Sequence, residues 1–152
     1  MERFHDNPWY DFVFVYVGTK PIPSTRTPWK KLIWRLRLQS RESMGIMSFR
    51  NSVQEGLRGY PQLKVPLKGR VLVSLAIKLT PIEYEKRDID NMVKSLLDAL
   101  VGIAYENDKQ VAVLHVVKLK SDDNRWHIGL KALAENESAW YFPPLYEESP
   151  TG

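Results

Sequence analysis

Residues 71–79, VLVSLAIKL, put Val71, Val73, Leu75, Ile77 and Leu79 on one face of an extended chain, and the other face is mostly apolar as well. Successive side chains of a strand alternate between faces, so a strand apolar on both sides must be covered above and below. The segment therefore belongs in the interior of a sheet. Neighbours for it exist along the chain. Residues 10–17, YDFVFVYV, are β-branched and aromatic and end at Gly18; QVAVLHVVKLK runs from Gln110; WHIGLKAL runs from Trp126. The intervening KSDDNR is a turn, which predicts a terminal hairpin of the last two strands.

Between these strands lie helical patterns. Ser43 is suited to cap a helix running to about Arg58, with Ile46, Phe49, Val53 and Leu57 at helical spacing and Gly59 beyond its end. Just before it, Trp34, Leu36 and Leu38 alternate with Arg35 and Arg37, which predicts a short half-buried strand. In RDIDNMVKSLLDAL, residues 87–100, the residues Ile89, Val93, Leu96, Leu97 and Leu100, with Ala104 beyond, form one apolar stripe. The fold class that follows is α+β: a single mixed β-sheet of about four main strands flanked by two helices. Residues 1–133 read as one domain, and 134–152 as an acidic and aromatic tail.

Composition narrows the chemistry. With no cysteine, thiolate metal sites, disulfides and cysteine nucleophiles are excluded. No apolar run reaches the length of a membrane span, and a cytoplasmic protein is the simplest expectation. Charge is divided along the chain: residues 1–80 hold 14 Lys/Arg and 5 Asp/Glu, whereas residues 81–152 hold 8 and 13. The first part suits a polyanion and the second supplies carboxylates.

The carboxylates of most interest are Asp88 and Asp90. Side chains two apart in extended chain point to the same side, with Cα atoms about 6 to 7 Å apart, so the two can share an ion. Hard oxygen donors suit Mg²⁺. Asp90, Lys94 and Asp98 follow at helical i, i+4, i+8 spacing, a polar stripe beside the apolar face. The loop AYENDKQV adds Glu106 and Asp108 just before the next strand, and Asp108 faces the pair if that strand lies beside the one preceding Asp88. The same residues have an ordinary structural use, since aspartate caps helices and Asp90 with Lys94 is a common helical ion pair. Spacing alone leaves both uses open. For Asp98 an ion pair with Lys94 is the favoured role. His115 reads as a core or edge histidine, His127 as solvent-facing, and Asp122 and Asp123 as turn residues.

The longer stretch RDIDNMVKSLLDALVGIAYENDKQV resembles the signature of the RusA-type Holliday junction resolvases. The matching positions are Asp88, Asp90, Asn91, Lys94, Asp98, Ala99, Leu100, Asp108, Gln110 and Val111, followed by HVVK at His115 to Lys118. The resemblance implies a homodimeric, Mg²⁺-dependent endonuclease that resolves four-way DNA junctions by paired cuts. It implies metal binding by Asp88, Asp90 and Asp108, assistance from Lys94, and a role for Asn91 in orienting an aspartate or a water. Asn107 stands where the family often has an acidic residue. The alternative is a basic, non-catalytic DNA-binding module on the same fold.

DNA contact is expected from Lys20, Arg26, Lys30, Lys31, Arg35 and Arg37, part of a run between Lys20 and Arg50 that holds eight basic residues and one acid, Glu42. Lys86 and Arg87, next to Asp88, complete the set.

Overall fold

The computed structural model describes residues 10–17 and 35–137, the segment 35–46 by its backbone alone. Among these residues the order is β1 (Phe12–Val17), α1 (Arg35–Arg58), β2 (Val71–Leu79), α2 (Pro81–Lys86), α3 (Ile89–Leu100), β3 (Val111–Lys120) and β4 (Arg125–Ala132), with a 3-10 turn at Asp108–Gln110. The strands form one sheet in the order β1-β4-β2-β3, with β3 parallel to β2 and the other pairs antiparallel. This is the α+β mixed sheet that the patterning predicts. β2 has a neighbour on each side and is buried along almost its whole length.

One sheet face carries the main core. Phe12, Phe14, Val73, Leu75, Ile77, Trp126 and Ile128 meet Phe49 and Val53 of α1 and Met92, Leu96 and Leu100 of α3. Each such aliphatic or aromatic side chain contributes about 1.5–3 kcal/mol by leaving water. Gly56 belongs to this packing: a Cβ there would stand 2.8 Å from the Phe14 ring, so α1 can approach β1 only with glycine at that turn. The opposite face holds a smaller apolar group around Tyr10, Leu72 and Leu133.

Three expectations are corrected. Residues 35–38 are not a strand; α1 begins at Arg35, well before Ser43. Two alternations are a weak period signal, and residues 35–44, apart from Ser40 and Ser43, are straight-chain helix formers with no β-branched member. The last two strands are not a hairpin either, because β2 lies between β3 and β4. Residues 121–124 step across the end of β2, a gap of about 10 Å for two strand spacings. There Ser121 N–H donates to Leu79 O and Asn124 Oδ1 accepts from Thr80 N–H. His127 is buried rather than solvent-facing, since β4 is an interior strand.

Beyond β4, the Arg70 guanidinium donates to the carbonyls of Ala134, Glu135 and Glu137, tying this segment to the start of β2. The rest of the expected tail lies outside the described residues. No helix among the described residues is long and apolar enough to cross a membrane.

Candidate active site

The β2–α2–α3–β3 segment is a parallel crossover, and it sets where each acidic residue falls. β2 ends at Leu79, α2 follows, and Arg87 and Asp88 are extended before α3 begins. Asp88 is the N-cap residue of α3: its carbonyl accepts from Met92 N–H, while its side chain makes no cap hydrogen bond. Instead Asn91 Nδ2 donates to Asp88 Oδ2 at 3.4 Å. The structure thus uses Asp88 to open the helix through its backbone and leaves the carboxylate outside the helical ladder.

The buried stripe of α3 is Met92, Val93, Ser95, Leu96, Ala99 and Leu100. Ile89 is not on it; at 39% exposed it sits at the rim of an open cleft of about 430 Å³. The cleft is lined by Asp90, Lys94 and Asp98 along α3, by Asp108, and by an apolar floor that includes Val93, Leu97, Leu114 and Val116. Leu114 and Val116 come from β3, which as the outer strand presents them beside α3. Asp90, Lys94, Asp98 and Asp108 are all exposed, and none has a side-chain hydrogen bond or ion pair among the described residues. The expected Asp98–Lys94 ion pair is therefore absent.

Asp108 enters the cleft at a definite end. Tyr105 is buried, and its hydroxyl donates to Leu97 O at 2.8 Å near the C-terminal end of α3. Burial pushes the Tyr105 hydroxyl up from its ordinary pKa, with the Asp108 and Asp98 charges adding in the same direction. Asp108 thus lies beside the C-terminal half of α3. Asp90 is two turns earlier, about 12 Å of axial rise away. β3 does pair with β2, as the placement of Asp108 requires, but in parallel, so the returning loop reaches the start of β2 and not its end. Among the described residues no three His, Asp or Glu side chains converge closely enough to hold one ion.

The loop bearing Asp108 is tightly specified. Asn107 caps the 3-10 turn: its Oδ1 accepts from Lys109 N–H at 2.9 Å, and its own N–H donates to Gln110 Oε1 at 2.8 Å. Gln110 Nε2 then donates to Leu67 O and Gly69 O, each at 2.8 Å. Asn107, the position of departure from the family pattern, therefore has a capping role, and Gln110 staples the acidic loop to the approach to β2. The N-x-x-Q spacing is a readable sign of such a box.

Of the expected DNA contacts, Lys20, Arg26, Lys30 and Lys31 lie outside the described residues. Arg35 and Arg37 fall in the first turns of α1. Lys86 is exposed, while Arg87 is engaged by Glu83 at 2.7 Å.

Oxygen donors are the right kind of ligand for Mg²⁺, and Asp90 and Asp108 face one cleft with no competing partner. The donor chemistry fits. Asp90 and Asp108 line the cleft, while Asp88 is not among its lining residues. Comparison with known proteins agrees with this chemistry: the family model described as Endodeoxyribonuclease RusA matches residues 19–131. No curated protein matches the chain.

Proposed function

The chain belongs to the RusA endodeoxyribonuclease family, and from that premise we propose that it resolves four-way DNA junctions as a Mg²⁺-dependent homodimer making paired phosphodiester cuts. The observation that carries the reading is the open cleft in which Asp90, Lys94 and Asp108 stand unpaired beside one another's elements. Charged side chains without partners on a folded surface are available to a ligand. Carboxylates facing a phosphate backbone add nothing to a passive DNA binder, because they repel it.

Asp88, Asp90 and Asp108 are the proposed metal ligands. When bound, Mg²⁺ supplies charge neutralisation at the scissile phosphate and makes hydroxide available near neutral pH. Lys94, one turn beyond Asp90, places its ammonium where negative charge grows on the phosphate oxygens and stabilises it. Asn91 donates a long, exposed hydrogen bond of 3.4 Å to the Asp88 carboxylate and so biases its orientation. The basic residues of the first half, together with Lys86, neutralise the backbone and position the junction.

The test is cleavage of a synthetic four-way junction with Mg²⁺ or EDTA, beside Asp90→Asn. Paired nicks are expected for the native protein with Mg²⁺. They vanish with EDTA and fall by roughly 10³-fold in the variant, the rate equivalent of several kcal/mol of lost charge stabilisation. Junction binding without cutting in any lane returns the protein to the non-catalytic DNA-binding reading, and equal cutting of linear duplex replaces junction resolution by general nuclease activity.

A further inference from the structure

We propose that Lys118 of β3 is the positioning residue that holds the Asp88 turn in its working conformation, an inference that rests on the nuclease reading above. Its ammonium donates to Tyr84 O and to Arg87 O, each at 2.9 Å, and lies 4.2 Å from the centroid of the Tyr84 ring. Lys118 is half-buried; its ammonium is bonded to carbonyls and faces an aromatic ring, and the nearby Glu85 carboxyl feels its charge without forming an ion pair with it. The neighbouring acid, Glu85, is taken by Lys120 at 2.7 Å.

The two carbonyls matter because of where they lie. α2 has six residues, none of them fully buried, and only Tyr84 packs against the core, so core packing alone holds it weakly against the sheet. Tyr84 O is among the last carbonyls of that helix, which have no partner inside it. Arg87 O belongs to the peptide group whose N–H is that of Asp88. A peptide is planar, so fixing its oxygen fixes the plane from which Asp88 departs. Arg87 and Asp88 are both extended, with φ −116° and −82°, and form the link between two helices. Lysine suits this role, because its compact ammonium carries three rotatable donors for the two carbonyls, whereas the donors of a guanidinium are fixed in one plane.

Lys118→Met keeps the length and apolar stem of the side chain and removes the donors. Its expected signature is a loss of about tenfold or more in Mn²⁺ affinity without DNA, measured by electron paramagnetic resonance, the scale seen when residues that orient metal ligands are removed. A matching rise is expected in the Mg²⁺ concentration for half-maximal junction cleavage, with metal-free junction binding unchanged. Lys118→Arg recovers part of both. Folded Lys118→Met with native Mn²⁺ affinity overturns the proposal, even if its melting temperature is lower. Should that variant not fold, Lys118→Gln, which keeps one donor group, is judged by the same criterion. Native protein that cuts junctions while the variant matches it in both readouts removes the role of Lys118 and leaves the nuclease reading standing. Lys118-dependent Mn²⁺ binding in a protein that cuts no junction supports the clamp and removes the nuclease reading.

Discussion

The two acidic ends of the cleft are held by different means. At the Asp108 end the fastener is a neutral amide: Gln110 closes a turn with Asn107 three residues away and staples it to Leu67 and Gly69. At the Asp88 end, a charged side chain reaches across 31 residues of sequence to bind the Arg87 carbonyl. One end is a local turn pinned to the body; the other is a link between two short elements held from a neighbouring strand. Both ends therefore depend on the completed crossover, since Gln110 reaches back 43 and 41 residues and Lys118 reaches back 31; the Asp108 end differs in having a local capping box of its own.

The sharpest break of this comparison is to disable the far end chemically. Asp108→Asn is expected to reduce cleavage as severely as Asp90→Asn, by roughly 10³-fold, if both ends serve one reaction. Asp98 lines the same cleft and stands at the same end as Asp108, so Asp98→Asn is its control. A surface substitution outside the chemistry stays within about 0.5 kcal/mol, or about twofold in rate. Single-turnover rates on one junction decide the matter: loss with Asp98→Asn and not with Asp108→Asn reverses the assignment of the third carboxylate.

The same contrast explains what is readable in the chain. β2, apolar on both faces, announces an interior strand, and the stripe of α3 announces a helix packed on it; both rest on periodicity, which is local. Asp88, Asp90, Lys94 and Asp108 are legible as a pattern, and Asn107 with Gln110 as a capping spacing. Tertiary facts are hidden. The parallel pairing that carries Asp108 to the far end of α3 depends on which edge of β2 the chain selects, and the step of residues 121–124 over β2 looks in sequence like any tight turn. Lys118 reads as one more lysine on an alternating strand, because its partners are backbone carbonyls and carry no sequence signal. The turns of α1 at Arg35–Leu38 mislead for a related reason: alternation over so few residues fits a strand and a helix equally well.

A gentler perturbation loosens the Asp108 end without touching its charge. Gln110→Ala removes one accepted and two donated hydrogen bonds and leaves the Leu67 and Gly69 carbonyls without that partner. The expected cost is about 1–3 kcal/mol of stability by urea unfolding, with cleavage reduced about tenfold. A variant that unfolds earlier yet cuts at the native rate shows that the staple serves the fold alone, and the symmetry between the two ends then fails.

The smallest effect belongs to the surface pair at the Asp88 end. Lys120 holds the Glu85 carboxyl below its ordinary pKa, first by the 2.7 Å hydrogen bond and then by its charge. A carboxyl whose pKa is depressed by folding contributes stability above its unfolded pKa, and that contribution is lost as pH falls through the depressed value. Glu85→Gln is therefore expected to melt slightly below the native protein at neutral pH and to converge with it in acid and in high salt, because both groups are fully solvated. Its Mn²⁺ affinity should not change. That last outcome separates two neighbouring lysines: if Glu85→Gln weakened metal binding as Lys118→Met does, the Asp88 turn would be organised by the field of the whole charged patch, and the direct bonds from Lys118 to the two carbonyls would lose their special standing.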